Sequence, residues 1–175
     1  MFPKAHAAAY DMSAIRLGWY KIYYPMEFYA AFLTVAPGGF DAEIVGGGYQ
    51  GVNDAITEIE KKGVEATAKE NETCQTLYLV REALARGVKF LNVDLKKSDA
   101  TAFLPENGKI RMPFNSLVGL GDTAAEKIIE ARNKYDIYSV EDLRERTGIS
   151  KTVIEILRRN HVLDGLSETN QFTMF

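Results

Sequence analysis

Leu117-Val118-Gly119-Leu120-Gly121-Asp122-Thr123-Ala124-Ala125-Glu126-Lys127-Ile128-Ile129 sets two glycines, one apolar residue apart, directly ahead of a helical pattern. Asp122 stands where a helix cap belongs, and Ala124, Ile128 and Ile129 recur as a packing stripe. Without a Cβ, Gly119 and Gly121 can take positive φ and let an anion approach the main chain. The first amides of the following helix have no partner within it, and the helix dipole favours negative charge there. A phosphate is the anion this corner fits, with Gly119, Leu120, Gly121, Thr123 and Lys127 as candidate contacts. Lys127 lies in the turn from which a phosphate is within reach. Were the phosphate part of a nucleic acid, main-chain donors of this kind would contact its backbone and read no bases. The competing reading is an ordinary glycine link between packed helices, capped by Asp122.

Downstream, Thr147-Gly148-Ile149-Ser150-Lys151 is a second, degenerate version of this corner. It makes Gly148, Ser150 and Lys151 candidate contacts, within helices expected near Asp122 to Lys134, Ser139 to Arg146 and Ser150 to Asn160. The basic residues of this end alternate with acids, so most are expected on solvated helix faces. Upstream, Asn107-Gly108 between Thr101–Leu104 and Lys109–Met112 predicts a β-hairpin, and the apolar run Val88, Phe90, Leu91, Val93 predicts a strand. Nearer the start, helices are expected over Lys4–Tyr23 and Pro25–Val35, the first closed by Pro25. Phe40 to Tyr49, bounded by Pro37-Gly38-Gly39 and Gly46-Gly47-Gly48, reads as a loop or short helix. Another helix is expected from Gly51 to Lys61-Lys62-Gly63, and one more from an N-cap at Thr73 to Arg86-Gly87. The fold class is therefore mainly α with a small β-hairpin or short sheet (α+β), with a boundary near Met112 and Pro113.

Bulk properties exclude several classes. A chain of 175 residues, 46% hydrophobic, can bury a real core as one domain or two small ones. Its net charge of −3 gives no general attraction to a polyanion, so any nucleic-acid contact must be local. One cysteine, Cys74, and two histidines rule out a disulfide framework and a four-ligand zinc site, which fits a reducing cytoplasm. The most apolar stretch, Met26 to Ala36, falls far short of the roughly 20 residues a membrane helix needs. Asp41, Asp54 and Asp94 lie on unrelated elements and read as surface or capping groups, and Gly46 to Gly48 lack the Lys-Ser/Thr of a phosphate-binding loop.

The glycine corner resembles the helix-hairpin-helix family. The tail Gln171-Phe172-Thr173-Met174-Phe175 resembles the bacterial clamp-binding pentapeptide, with Phe172 and Met174 in place of the two usual leucines. Three large apolar residues on a polar-flanked terminus make sense chiefly as anchors, and the alternative is that they fold back on the helical end. Phe2-Pro3-Lys4-Ala5-His6-Ala7-Ala8-Ala9-Tyr10, continued by Tyr24-Pro25-Met26-Glu27-Phe28-Tyr29-Ala30-Ala31, resembles the finger region of bacterial family C replicative polymerases. Ala66-Thr67-Ala68-Lys69-Glu70 and Phe90-Leu91-Asn92-Val93-Asp94-Leu95 are similar to the PolC type. The resemblance runs from Met1 to Phe175. It implies a finger-derived region over 1–112, a tandem helix-hairpin-helix module over 113–166 and a flexible clamp-binding tail over 167–175. It also implies duplex DNA, the sliding clamp and the rest of the polymerase chain as partners, and Lys4 and His6 near the incoming nucleotide or template. No palm-type carboxylate pair occurs, so no catalytic or metal-binding residue is expected here, and Mg2+ belongs to the full polymerase. The alternative is a structural or adaptor helix-hairpin-helix domain that does not itself contact DNA.

Overall fold

Local signals set most helix limits in the computed structural model, which describes residues 3–35 and 38–169. Helix α1 (Lys4–Tyr23) ends ahead of Pro25, which opens α2 (Pro25–Val35), since proline suits a first turn and no helix interior. The Asp41 carboxylate caps α3 (Ala42–Gly46) by accepting from the Glu43 and Ile44 amides. Only Gly47 separates it from α4 (Gly48–Lys62), so the helix expected from Gly51 starts three residues earlier. Gly63, at φ 53, ends α4 behind the basic pair Lys61 and Lys62.

Helix α5 (Ala68–Ala85) is capped by Thr67 and not by Thr73. The Thr67 hydroxyl accepts from the Glu70 amide at 3.2 Å, while the Glu70 carboxylate accepts from the Thr67 amide at 2.8 Å. This reciprocal box satisfies two orphan donors, and it places Thr73 inside the helix. Cys74 is buried on the same helix, packed among apolar residues.

Strands β1 (Phe90–Leu91), β2 (Leu104–Glu106) and β3 (Lys109–Arg111) form a small sheet ordered β1-β3-β2. The β2–β3 pair is the expected hairpin, with Asn107 at φ 50 and Gly108 at φ 77 as a two-residue turn of this hand requires. Strand β1 pairs in parallel with β3 over two residues only. Val88 and Val93 flank it as buried core residues outside the ladder, so much of that apolar run is there to pack. A single 3-10 turn (Phe114–Ser116) leads to α6 (Asp122–Lys134), α7 (Val140–Thr147) and α8 (Lys151–Arg159).

The core is continuous across Met112 and Pro113. One buried cluster joins Tyr29, Val52, Ile56, Leu77 and Val80 through Ile110, Met112 and Phe114 to Ile128, Leu143 and Leu157. Polar ties cross the same line. The Phe114 and Asn115 amides donate to the Asp99 and Ala100 carbonyls at 3.0 and 3.1 Å, and Arg132 reaches the Leu95 and Ser98 carbonyls at 3.0 and 2.7 Å. Helix α1 stands apart from this core. None of its residues is buried, although it carries Tyr10, Met12, Ile15, Leu17, Trp19 and Ile22. Its last turn is tied to α5 by Lys21 and Glu82 at 2.7 Å.

Candidate nucleic-acid interface

The first glycine corner is a tight turn closed by the Leu120 amide on the Leu117 carbonyl at 3.0 Å. Gly119 takes φ 91 at the third position, where a type II turn demands positive φ. Gly121 does not share that conformation. It caps α6 at φ −83 and ψ 164, ordinary extended backbone, so only one of the two glycines is required by the turn. What Gly121 contributes is space, because among the described residues a Cβ there would meet no atom within 4 Å beyond its chain neighbours. A Cβ on Gly119 would instead lie 2.9 Å from Ile156 Cδ1 on α8. One glycine thus seats the turn on its neighbour, and the other clears the solvent side.

Among the described residues no side chain caps α6. The Ala124 and Ala125 amides return to the Gly121 carbonyl at 3.0 and 3.1 Å, which leaves the Asp122 and Thr123 amides without a partner among the described residues. Thr123 and Lys127 are exposed one turn apart on the same helix face, and Lys127 forms no ion pair among the described residues. Leu120 holds a different place from the one expected. Its side chain is buried and its amide is committed to Leu117, so it shapes the corner and offers no donor.

The second corner repeats the pattern with other means. Gly148, at φ 62, ends α7 in the left-handed conformation, its amide on the Arg144 carbonyl at 2.8 Å. The Ser150 hydroxyl accepts from the Val153 amide at 3.3 Å, so that side chain is occupied as a cap while the Lys151 and Thr152 amides stay unpartnered among the described residues. Arg144, Gly148, Lys151 and Arg158 line an open groove of about 720 Å³ floored by Val140, Ile149 and Ile154. Its rim is mixed in charge, with Glu141, Glu145, Glu155 and Glu168 among the lining residues.

The structure sorts the cations that sequence leaves alike. Arg132 is turned inward, where burial lowers its guanidinium pKa. Arg146 pairs with Asp142 at 2.5 Å and covers the Tyr135 ring at 4.4 Å. Arg158 pairs with Glu168, and Arg159 with Glu43 at 2.7 Å. Lys127, Arg144 and Lys151 remain outside ion pairs among the described residues. Asn115, on which no sequence pattern drew attention, donates from Nδ2 to the Asp122 carboxylate beside the first corner at 3.0 Å.

Lys4 and His6 lie in the first turns of exposed α1, with the His6 ring edge-on to Tyr10 at 4.7 Å. Neither enters the core. Gln171, Phe172, Thr173, Met174 and Phe175 lie outside the described residues. The start of the segment expected as a flexible tail is held in place. The Val140 and Glu141 amides donate to the Ser167 and Glu168 carbonyls at 2.9 and 3.1 Å, and Glu168 and Thr169 line the groove beside the second corner. Asp41 and Asp94 serve as caps, Asp94 accepting from the Lys96 and Lys97 amides. Among the described residues no group of three His, Cys, Asp or Glu side chains is placed to hold a metal ion, and no helix is long and apolar enough to cross a membrane.

Comparison with known proteins adds two findings. The model of the helix-hairpin-helix motif matches residues 87–172, so the match begins ahead of the sheet and runs through both corners. Three proteins named DNA polymerase III PolC-type are similar along the whole chain. They come from Caldanaerobacter subterraneus subsp. tengcongensis (46% identity), Halalkalibacterium halodurans (42%) and Thermotoga petrophila (43%). Each match covers 100% of the chain and only 12 to 13% of the relative.

Proposed function

The chain belongs with PolC-type DNA polymerase III, matching a segment of those proteins over its whole length, and from that premise we propose that it is a non-catalytic accessory portion of such a polymerase. In this reading it grips duplex DNA by the phosphate backbone and fastens the enzyme to the sliding clamp. The observation that carries the DNA part is the pair of glycine corners, each presenting helix-start amides without a partner, beside a cation outside any ion pair, among the described residues. Gly119, Gly121, Thr123 and Lys127 form the first contact set, and Gly148, Lys151 and the Ser150 turn form the second. Leu120 supports the first set from within.

Clamp attachment is assigned to Gln171 to Phe175 on their likeness to the pentapeptide. The rest of the polymerase is the partner that suits α1, since a helix that exposes Tyr10, Met12, Ile15, Leu17, Trp19 and Ile22 offers apolar surface for a larger body to cover. Lys4 and His6, on that helix, would then face nucleotide or template only within the whole enzyme. A replication protein of this kind works in the cytoplasm.

Fluorescence titration with labelled duplexes tests the DNA part. Binding is expected to weaken with salt at a log–log slope of about −2 to −3, as for two or three phosphates released from counterions. Gly121→Val, at an ordinary φ with open space around it, is expected to fold and to lose about tenfold in affinity on every duplex sequence. Loss on some sequences only overturns a phosphate-only grip, and no loss overturns the grip and favours the adaptor reading.

A further inference from the structure

The mouth of the first corner carries a negative charge of its own. Asp122 is the first residue of α6 and is exposed. A carboxylate at that position is drawn toward its own helix's free amides, both by the dipole and by the ease with which Asp bonds nearby backbone. Those are the amides of Asp122 and Thr123 that a phosphate needs. In the structure the carboxylate is held elsewhere, accepting from Asn115 Nδ2 at 3.0 Å.

Asn115 is well placed to hold it. It sits in the 3-10 turn Phe114–Ser116, whose Phe114 is fully buried. The Asn115 amide is anchored on the Ala100 carbonyl at 3.1 Å, and Ser116 Oγ donates to the Pro113 carbonyl at 2.6 Å. The base of the side chain is therefore fixed to the sheet side of the core, while its amide tip reaches across the corner to the helix start.

Resting on the duplex-binding reading above, we propose that Asn115 is a positioning residue for that binding: it parks the Asp122 carboxylate against the 3-10 turn and keeps the amides of α6 open to a phosphate. Removing Asn115 frees the carboxylate to occupy the amides as an internal anion. The contrasting role is a plain staple, in which the Asn115–Asp122 bond stiffens the turn and the charge is irrelevant.

Duplex titration of the 175-residue chain separates the two, using Asn115→Ala, Asp122→Ala and the double variant. Parking predicts that Asn115→Ala weakens binding by about tenfold, that Asp122→Ala does not weaken it, and that the double variant regains the affinity of the unaltered chain. A double variant as weak as Asn115→Ala, or a loss of affinity in Asp122→Ala alone, makes the bond a staple and overturns the proposal. Thermal melts accompany each titration. If Asn115→Ala fails to fold, Asp122→Ala decides alone, because it alters an exposed helix-start side chain. Failure of the underlying reading looks different: Gly121→Val would then leave duplex binding unchanged.

Discussion

A side chain at Gly119 would be penalised twice, by its φ of 91 and by the approach of Ile156 Cδ1 to 2.9 Å. Gly119→Ala is therefore expected to cost about 1–3 kcal/mol, read as a lower thermal or denaturant midpoint. Gly121→Ala should leave the midpoint nearly unchanged. Equal effects at the two positions would refute the division between a glycine that seats the turn and one that clears space. The same scale shows why the cations could not be sorted from sequence. Arg132, Arg144 and Arg146 are chemically alike along the chain, yet among the described residues one is turned inward to carbonyls, one is in no ion pair and one is bound to Asp142. The neighbours that decide this come from other elements.

At the scale of elements, the β2–β3 hairpin has an acid-sensitive tie. Arg111 contacts Glu106 at 2.8 Å and Lys97 does so at 3.0 Å. The Arg111 hydrogen bond first, and that of Lys97 next, hold the Glu106 carboxyl down at about 2, below its ordinary 4.5. A carboxyl depressed in the folded state stabilises above its unfolded value and loses that contribution as pH falls toward the folded one. The window is thus about 4.5 down to 2. The thermal midpoint of the unaltered chain should drop more between pH 5 and pH 3 than that of Glu106→Gln, and equal drops would refute the tie. Glu70, held at about 2 by Lys62 and the Thr67 cap, titrates in the same window, so Glu106→Gln removes only part of the acid response. The hairpin was legible because Asn-Gly dictates its turn locally. The start of α5 was equally local, since Thr67 and Glu70 form the three-residue spacing of a capping box, a signal that Thr73 obscured.

For the whole molecule, the continuous core binds the helix-hairpin-helix end to the sheet and to α2–α5, while α1 buries none of its residues. Ser167 and Glu168 are bonded at the α7 N-terminus, and Glu168 and Thr169 line the groove beside the second corner. Clamp pull-down with the chain ending at Asn170 should lose most of the retention seen with the full chain, and Gln171→Ala or Phe175→Ala should reproduce the loss. Retention unaffected by all three would remove the clamp from the function. A tail folded back on the body was the sequence alternative, and the same experiment speaks to it.

Sequence alone determined most of the helices, the Asn-Gly hairpin and the turns at both glycine corners, because caps, prolines, glycines and apolar periodicity act within a few residues of one another. Tertiary structure decided which glycine needs its conformation, that Leu120 faces inward, which cations stay unpaired and that the core crosses Met112–Pro113. Each of these depends on atoms brought together from distant parts of the chain, as when Ile156 meets Gly119 or Asp99 receives the Phe114 amide. Local pattern carries no record of such neighbours.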